Sequence, residues 1–306
     1  MDACIGSLDK IFRDAELAAR SHEAVLILGE TGSGKEVLAR YIHSHSRRKE
    51  HPFLPVNCAA IPAHLLESEL FGVEKGAYTG ATQSRKGYLE QAHGGTVLLD
   101  EVAEIPPEAQ AKLLRTIETR ELAPLGSSRY RTLDVRFIAA TNSDLRARTE
   151  KDQFRRDLYY RLSIFVYTLP PLRQRLQDLP LLIRHFLAAE ETPATVSPGA
   201  TELLHCYPWP GNIRELKNVL HHALVRSGGG EIRPEHLPEQ IVARCHRPDV
   251  LQDLDLKNKT ECFEAHLLAE MMKQCPDPAE ASRRLGLNLR TLYRKLKKYG
   301  IPPSTS

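Results

Sequence analysis

The segment Gly29-Glu30-Thr31-Gly32-Ser33-Gly34-Lys35 has the composition and spacing of a loop that wraps phosphates. Its glycines let consecutive backbone N–H groups turn inward, and Lys35 can reach the β- and γ-phosphates of a nucleotide such as ATP. The next residue is Glu36, so the Ser/Thr hydroxyl that ordinarily contacts Mg2+ from this position is missing. Downstream, Asp100 and Glu101 close the run Gly94-Gly95-Thr96-Val97-Leu98-Leu99. Asp100 is placed to hold Mg2+ through water, and Glu101 to polarise an attacking water. The plain alternative is a strand ending in an acidic turn, and a phosphate loop upstream argues against it.

These side chains need a scaffold that delivers them to one edge. Val25-Leu26-Ile27-Leu28 is a continuous apolar run, the pattern of a fully buried strand in a parallel sheet. The loop after it opens an apolar-periodic helix through Val37, Leu38, Tyr41 and Ile42, whose N-terminus adds positive potential. A third strand, Val135 to Ala140, ends in Thr141-Asn142, where an α/β sheet presents groups that sense a ligand; Asn142 could equally cap the next helix. Glu101 to Arg120 reads as helix after Pro106-Pro107. Alternation of strands and helices to about residue 170 predicts an α/β P-loop nucleotide-binding domain, a parallel sheet flanked by helices. Pro170-Pro171 marks a break. Helical patterns such as Leu179-Leu182-Ile183-Phe186-Leu187 then predict a helical lid over 171–243.

Between the phosphate loop and the acidic pair lies Gly76-Ala77-Tyr78-Thr79-Gly80-Ala81. Glycines and small neighbours disfavour helix and strand interiors. One aromatic and one hydroxyl sit at the centre. The segment is either a tight surface turn or a mobile probe with an adhesive tip.

The 306 residues are 42% hydrophobic and 26% charged, an ordinary globular balance that allows about two domains. No apolar run approaches the length needed to span a membrane, and the start Met1-Asp2-Ala3-Cys4 has no signal-peptide pattern. The six cysteines are scattered without metal-ligand spacing, which fits idle thiols in a reducing cytoplasm. The net charge is only +3, yet residues 279–301 carry seven basic side chains and one acid. Such concentration is the footprint of a nucleic-acid contact. Residues 244–258 read as a polar linker, and 259–306 as a small all-α unit. There Thr260 to Gln274 is helical, Ala279 to Leu285 forms a short helix and Gly286 a turn. Asn288 caps a last helix, Leu289 to Tyr299, with Leu289, Leu292 and Leu296 on one face. Arg290, Arg294 and Lys297 line another face, and Thr291 lies beside them; this is a helix-turn-helix whose basic face would read DNA. A merely solvated charged face is the alternative.

With these motifs in place, nearly the whole chain, from about residue 4 to 301, resembles the AAA+ activators of sigma-54 RNA polymerase, the bacterial enhancer-binding proteins. Their phosphate loop carries Glu after the Lys, as Glu36 does here. Their signature loop reads G-A-F-T-G-A; Tyr78 keeps the ring and adds a hydroxyl. The resemblance implies that residues 76–81 contact sigma-54. It also implies that Arg155 and Arg161 of Phe154-Arg155-Arg156-Asp157-Leu158-Tyr159-Tyr160-Arg161-Leu162 are arginine fingers for a neighbouring subunit's ATP. Without it, that segment reads as a basic face pairing with Asp157. By the same resemblance Asn57 is a switch residue acting on Glu101, Asn142 is sensor I, and Arg214 of Pro210-Gly211-Asn212-Ile213-Arg214 is sensor II. Ile5-Gly6-Ser7 would enter the adenine pocket, and the C-terminal unit would be of Fis type. The implied whole is a ring, hexameric in the family, that binds enhancer DNA and remodels the closed complex of RNA polymerase. Two rivals stand beside it: a DNA-binding regulator without ATPase coupling, which the intact Lys35, Asp100, Glu101, Arg155 and Thr79 oppose, and a protein-unfolding AAA+ chaperone, which would have no recognition helix.

Overall fold

The computed structural model describes residues 6–77, 83–188, 190, 194–246, 268, 271, 272, 275 and 277–299, without the side chains of 244–246 and 297–299. The chain divides into two units, Met1–Pro238 and Glu239–Ser306.

In the first unit, β1 (Val25–Leu28), β2 (Phe53–Asn57), β3 (Thr96–Asp100), β6 (Arg136–Thr141) and β7 (Phe165–Thr168) form one parallel sheet in the order β2-β3-β6-β1-β7. The strands at its centre are the most apolar: β6 is buried throughout, and β1 and β3 are buried up to their last residue. Side-chain alternation divides their burial between two layers. Leu26, Val97, Leu99, Phe137 and Ala139 pack beneath α3 (Ala63–Phe71), α5 (Pro107–Thr119) and α7 (Arg156–Leu162). Val25, Ile27, Leu98, Ile138 and Ala140 face α1 (Asp9–Ala19) and α2 (Lys35–Ser44). Each Val, Leu, Ile or Phe among them contributes roughly 1.5–3 kcal/mol by leaving water. A buried Arg136 at the start of β6 donates to Ala18 O at 2.7 Å and Ala19 O at 3.0 Å, tying down the end of α1.

The short helices α4 (Tyr88–Gln91) and α6 (Leu145–Glu150) fill connections. β4 (Glu121–Leu122) and β5 (Arg131–Thr132) pair as a separate antiparallel hairpin. The helix expected over 101–120 begins only at Pro107, after a 3-10 turn, Val102–Glu104, because Pro fits the first helical turn but not an interior. The lid contains α8 (Leu179–Ala188), α9 (Pro198–Cys206) and α10 (Asn212–Arg226), with a small parallel pairing of β8 (Thr195–Val196) and β9 (Glu231–Ile232). Trp209 is fully buried at the turn between α9 and α10 and donates to Leu204 O at 2.9 Å.

The second unit opens with the helix Glu239–His246. The expected linker 244–258 and helix 260–274 lie largely outside the described residues. Short helix Pro278–Arg284 and the helix Leu289–Tyr299 are joined at Gly286, whose φ of 64° suits a residue without Cβ. Their core is Leu268, Met272, Cys275, Ala281, Leu292 and Leu296. Leu289, expected on the buried face, is 43% exposed. It occupies the first helical position, and of that face the core takes in only Leu292 and Leu296.

Candidate functional site: the carboxyl edge of the sheet

Because all five strands are parallel, β1, β3 and β6 deliver their last residues to one edge. The loop after β1 is closed by contact with other segments rather than by its own side chains. Gly32 has φ 76°, and a Cβ there would stand 2.4 Å from Gly211 O. Ile213 N–H donates to Gly32 O at 2.9 Å. The start of α10 is therefore pressed against the loop, and Arg214 comes with it: its Cβ is 3.1 Å from that same Gly32 position. The loop also contains a buried, unpartnered Ser33 Oγ. Lys35 is 6% exposed, and its Nζ donates to Gly29 O at 2.9 Å and lies 3.6 Å from Glu101 Oε1. Its Nζ also donates to Glu30 O at 3.4 Å, and phosphate oxygens could take the place of these loop carbonyls as charge-assisted acceptors.

Glu101 has φ 51°, a left-handed conformation that costs a non-glycine residue on the order of 1–3 kcal/mol. Its carboxylate is fixed from β6: Oε2 accepts from Asn142 N at 3.1 Å and from Thr141 Oγ1 at 3.4 Å. Asn142 Nδ2 in turn donates to Thr31 Oγ1 at 3.0 Å. Phosphate loop, acidic pair and third strand are thus one connected network. Burial pushes the Asp100 carboxyl above its ordinary range, against the pull of Lys35. An oxygen-ligating divalent cation beside it would reverse that effect, and the donor set suits Mg2+. Cys58, just beyond β2, is pushed up to about 12 by burial and by the Asp100 and Glu101 charges, so it is an inert thiol.

Other residues singled out in the sequence stand elsewhere. Asn57 lies opposite Asp100 in the β2–β3 register, but its Oδ1 accepts from Ala59 N at 3.0 Å and Ala60 N at 3.2 Å, capping a 3-10 turn, while Glu101 takes its hydrogen bonds from β6. Ser7 binds Asp178 through its N–H at 2.8 Å and its Oγ at 2.6 Å. Arg155 forms a surface fork with Asp157 at 3.0 and 2.7 Å. Arg161 lines a cavity of about 340 Å3 with His22, Arg48, Arg120, Asp134 and Ile164. Val135 and Ile164, which also line it, precede the first residues of β6 and β7, so this cavity lies at the amino edge of the sheet.

Of residues 76–81, Gly76 and Ala77 are described; Tyr78, Thr79, Gly80 and Ala81 lie outside the described residues. Val73 and Arg85 exchange hydrogen bonds at 2.9 and 2.8 Å, pinching the base of the segment. The β4–β5 hairpin leans on that base: Leu125 N–H donates to Gly72 O at 2.9 Å, and a Cβ on Gly126 would meet Ala77 Cβ at 2.5 Å. Arg131 bridges Glu74 at 2.7 Å and Glu90 at 2.9 Å. No local pattern in the sequence announces this hairpin.

In the second unit, Asn288 Oδ1 accepts from Thr291 N at 2.8 Å, the expected cap. Arg290 and Arg294 are exposed and share a concave surface with Asn288, Thr291 and Tyr293. Lys297 has no described side chain.

Fold and site together define a AAA+ P-loop ATPase domain with a lid, followed by a helix-turn-helix. Family comparison agrees: residues 4–168 match the Sigma-54 interaction domain, 173–253 the AAA+ ATPase lid domain, and 260–299 the Bacterial regulatory protein, Fis family. The phenol regulator MopR of Acinetobacter guillouiae is 48% identical over 295 residues, covering 92% of this chain and 53% of that protein. Regulatory protein AtoC of Escherichia coli K12 is 44% identical over 305 residues, covering 96% and 66%. Among solved structures, NtrX from Brucella abortus in complex with ADP aligns with TM-score 0.74 and 30% identity, covering 96% of this chain and 68% of that one. The chain belongs to the sigma-54-dependent transcriptional regulators. It spans about half to two thirds of the length of the curated relatives it matches. Among the described residues, no helix is long and apolar enough to cross a membrane.

Proposed function

We propose that this chain hydrolyses ATP and uses the energy to remodel the closed complex of sigma-54 RNA polymerase into an open complex, from enhancer DNA bound by its C-terminal unit. The observation that carries this reading is the continuous contact from Lys35 through Glu101 and Asn142 to Thr31. It joins the group that would hold phosphate to the group that would activate water. Lys35, Arg214 and the backbone of residues 29–36 bind the triphosphate; Glu101 accepts the proton of the attacking water; Asn142 and Thr141 orient that carboxylate. Asp100 would hold Mg2+ through water, and the bound ion supplies charge neutralisation at the phosphate oxygens. Asn57, one strand away, would compete with Asn142 for Glu101 when its capping bonds open.

Arg155 and Arg161 act on the ATP of a neighbouring subunit in a ring, a hexamer by family resemblance, working in the cytoplasm. Arg161 supports this by its place at the amino edge: a four-residue strand is roughly 13 Å long, so Arg161 does not reach its own phosphate loop. Release of Arg155 from Asp157 costs little, because an ion pair exposed to water on both sides is weak. Residues 76–81, carried on a base braced by the hairpin, contact sigma-54. Arg290, Arg294, Asn288, Thr291 and Lys297 face DNA.

The test is phosphate release with and without sigma-54. Mg2+-dependent turnover, with ATP-driven open-complex formation on a sigma-54 promoter, is expected. DNA binding without any turnover would favour a regulator uncoupled from ATP; turnover without a sigma-54 complex would favour an unfolding ATPase.

A further inference from the structure

Glu30 is an acid inside a phosphate-binding loop, which is electrostatically awkward. Its carboxylate does not point into the loop. Arg173, just after the Pro170-Pro171 break, clamps it with a two-pronged fork, Nη1 to Oε2 at 2.8 Å and Nη2 to Oε1 at 2.5 Å. Asn212 adds a third donor, Nδ2 to Oε2 at 3.2 Å, and the same amide donates to Thr31 O at 3.1 Å. Asn212 is fully buried with φ 53°, and its Oδ1 accepts from Leu172 N–H at 2.7 Å. The residue beside Arg173 is thereby held to the start of α10. Arg175 completes the set by donating to Ser33 O at 2.7 Å. These hydrogen bonds hold the Glu30 pKa down to about 2, the Arg173 fork contributing most and Asn212 next, so Glu30 is ionised at any working pH.

We propose that Arg173 is a positioning residue for nucleotide binding: it turns the Glu30 carboxylate out of the phosphate cradle and cancels its charge, so that the loop accepts a polyphosphate. The inference rests on the ATP-binding reading above. A purely mechanical strut is the weaker account. The pair's side chains are 43% and 42% exposed, and an exposed ion pair holds segments together only feebly. Uncovering a full negative charge beside a di- or triphosphate acts at longer range and on the ligand alone.

Charge and strut give opposite patterns across variants. ADP and adenosine are titrated into the intact chain, adenosine by competition. Arg173→Ala should weaken ADP about five- to tenfold, with adenosine affinity unchanged, because adenosine carries no phosphate to be repelled. Raising the salt concentration should shrink the ADP defect. The double variant Glu30→Gln/Arg173→Ala should recover most of the lost ADP affinity. Unchanged adenosine binding doubles as the control for folding. Equal losses for ADP and adenosine, or a double variant no better than Arg173→Ala, would overturn the proposal. A wild-type chain that binds ADP as tightly as Arg173→Ala does overturns this inference alone, whereas a wild-type chain that binds neither ligand overturns the nucleotide reading as well.

Discussion

The two edges of the sheet are built for different partners. At the carboxyl edge a chain of contacts joins the functional groups: Lys35 to Gly29 and Glu101, Glu101 to Asn142, Asn142 to Thr31, Glu30 to Arg173 and Asn212. At the amino edge Arg161 and Arg120 line an open cavity, and neither has an ion pair among the described residues. The first edge is organised to bind within one chain; the second presents the Arg120 and Arg161 guanidinium groups beside an Arg48–Asp134 ion pair. On the proposed reading, a ring would bring these two edges of neighbouring subunits together, where a guanidinium supplied in trans would stabilise the charge that develops in phosphoryl transfer.

The strongest way to break this comparison is at the carboxyl edge. Glu101→Gln should leave ATP binding intact and lower turnover on the order of 10²–10⁴-fold, read by phosphate release beside equilibrium binding. Lys35→Ala should instead lose binding. Normal turnover in Glu101→Gln would leave the left-handed backbone there without a purpose. Arg161→Ala is next in size. A fall in turnover on the order of 10³-fold is expected for a trans-acting finger. Mixing with Lys35→Ala subunits should restore part of the activity, because an intact loop then meets an intact finger. Absence of recovery in rings shown to contain both variants would remove the in-trans assignment.

Stability sharpens the contrast. Gly32→Ala places a Cβ 2.4 Å from Gly211 O at a positive φ, so a loss of roughly 2–4 kcal/mol in denaturant unfolding is expected. His22→Ala, which lines the amino-edge cavity, should change stability by less than about 0.5 kcal/mol. In the second unit, Arg290→Ala or Arg294→Ala should cost about 1–3 kcal/mol at a cognate site if each reads a base. An equal loss on random DNA would make them phosphate contacts.

The sheet and its loop were legible because their signals are local. Val25 to Leu28 is too apolar to be anything but buried, and a glycine-rich loop after it leaves few readings; Asn288 likewise announces its own cap. Asn212 was legible only as part of a turn motif. Its bonds to Leu172, Glu30 and Thr31 span from 40 to 182 residues of sequence, and no local pattern encodes them. The β4–β5 hairpin was missed for a related reason. Its strands are two residues each, too short for a periodicity, and they are fixed by Gly126 meeting Ala77 and Arg131 meeting Glu74. Leu289 misled because helical spacing assigns a face without saying where the partner helix ends.

The central claim is that ATP hydrolysis at one edge drives a contact made by residues 76–81. Thr79→Ala tests it most directly, because Thr79 has no titratable group and belongs to neither the phosphate loop nor the acidic pair in sequence. The measurement is phosphate release alongside native-gel trapping of sigma-54 with an ATP transition-state analogue. The account predicts normal turnover with the trapped complex lost. Full complex formation and full open-promoter activity in Thr79→Ala would reduce the segment to an ordinary turn and contradict the account.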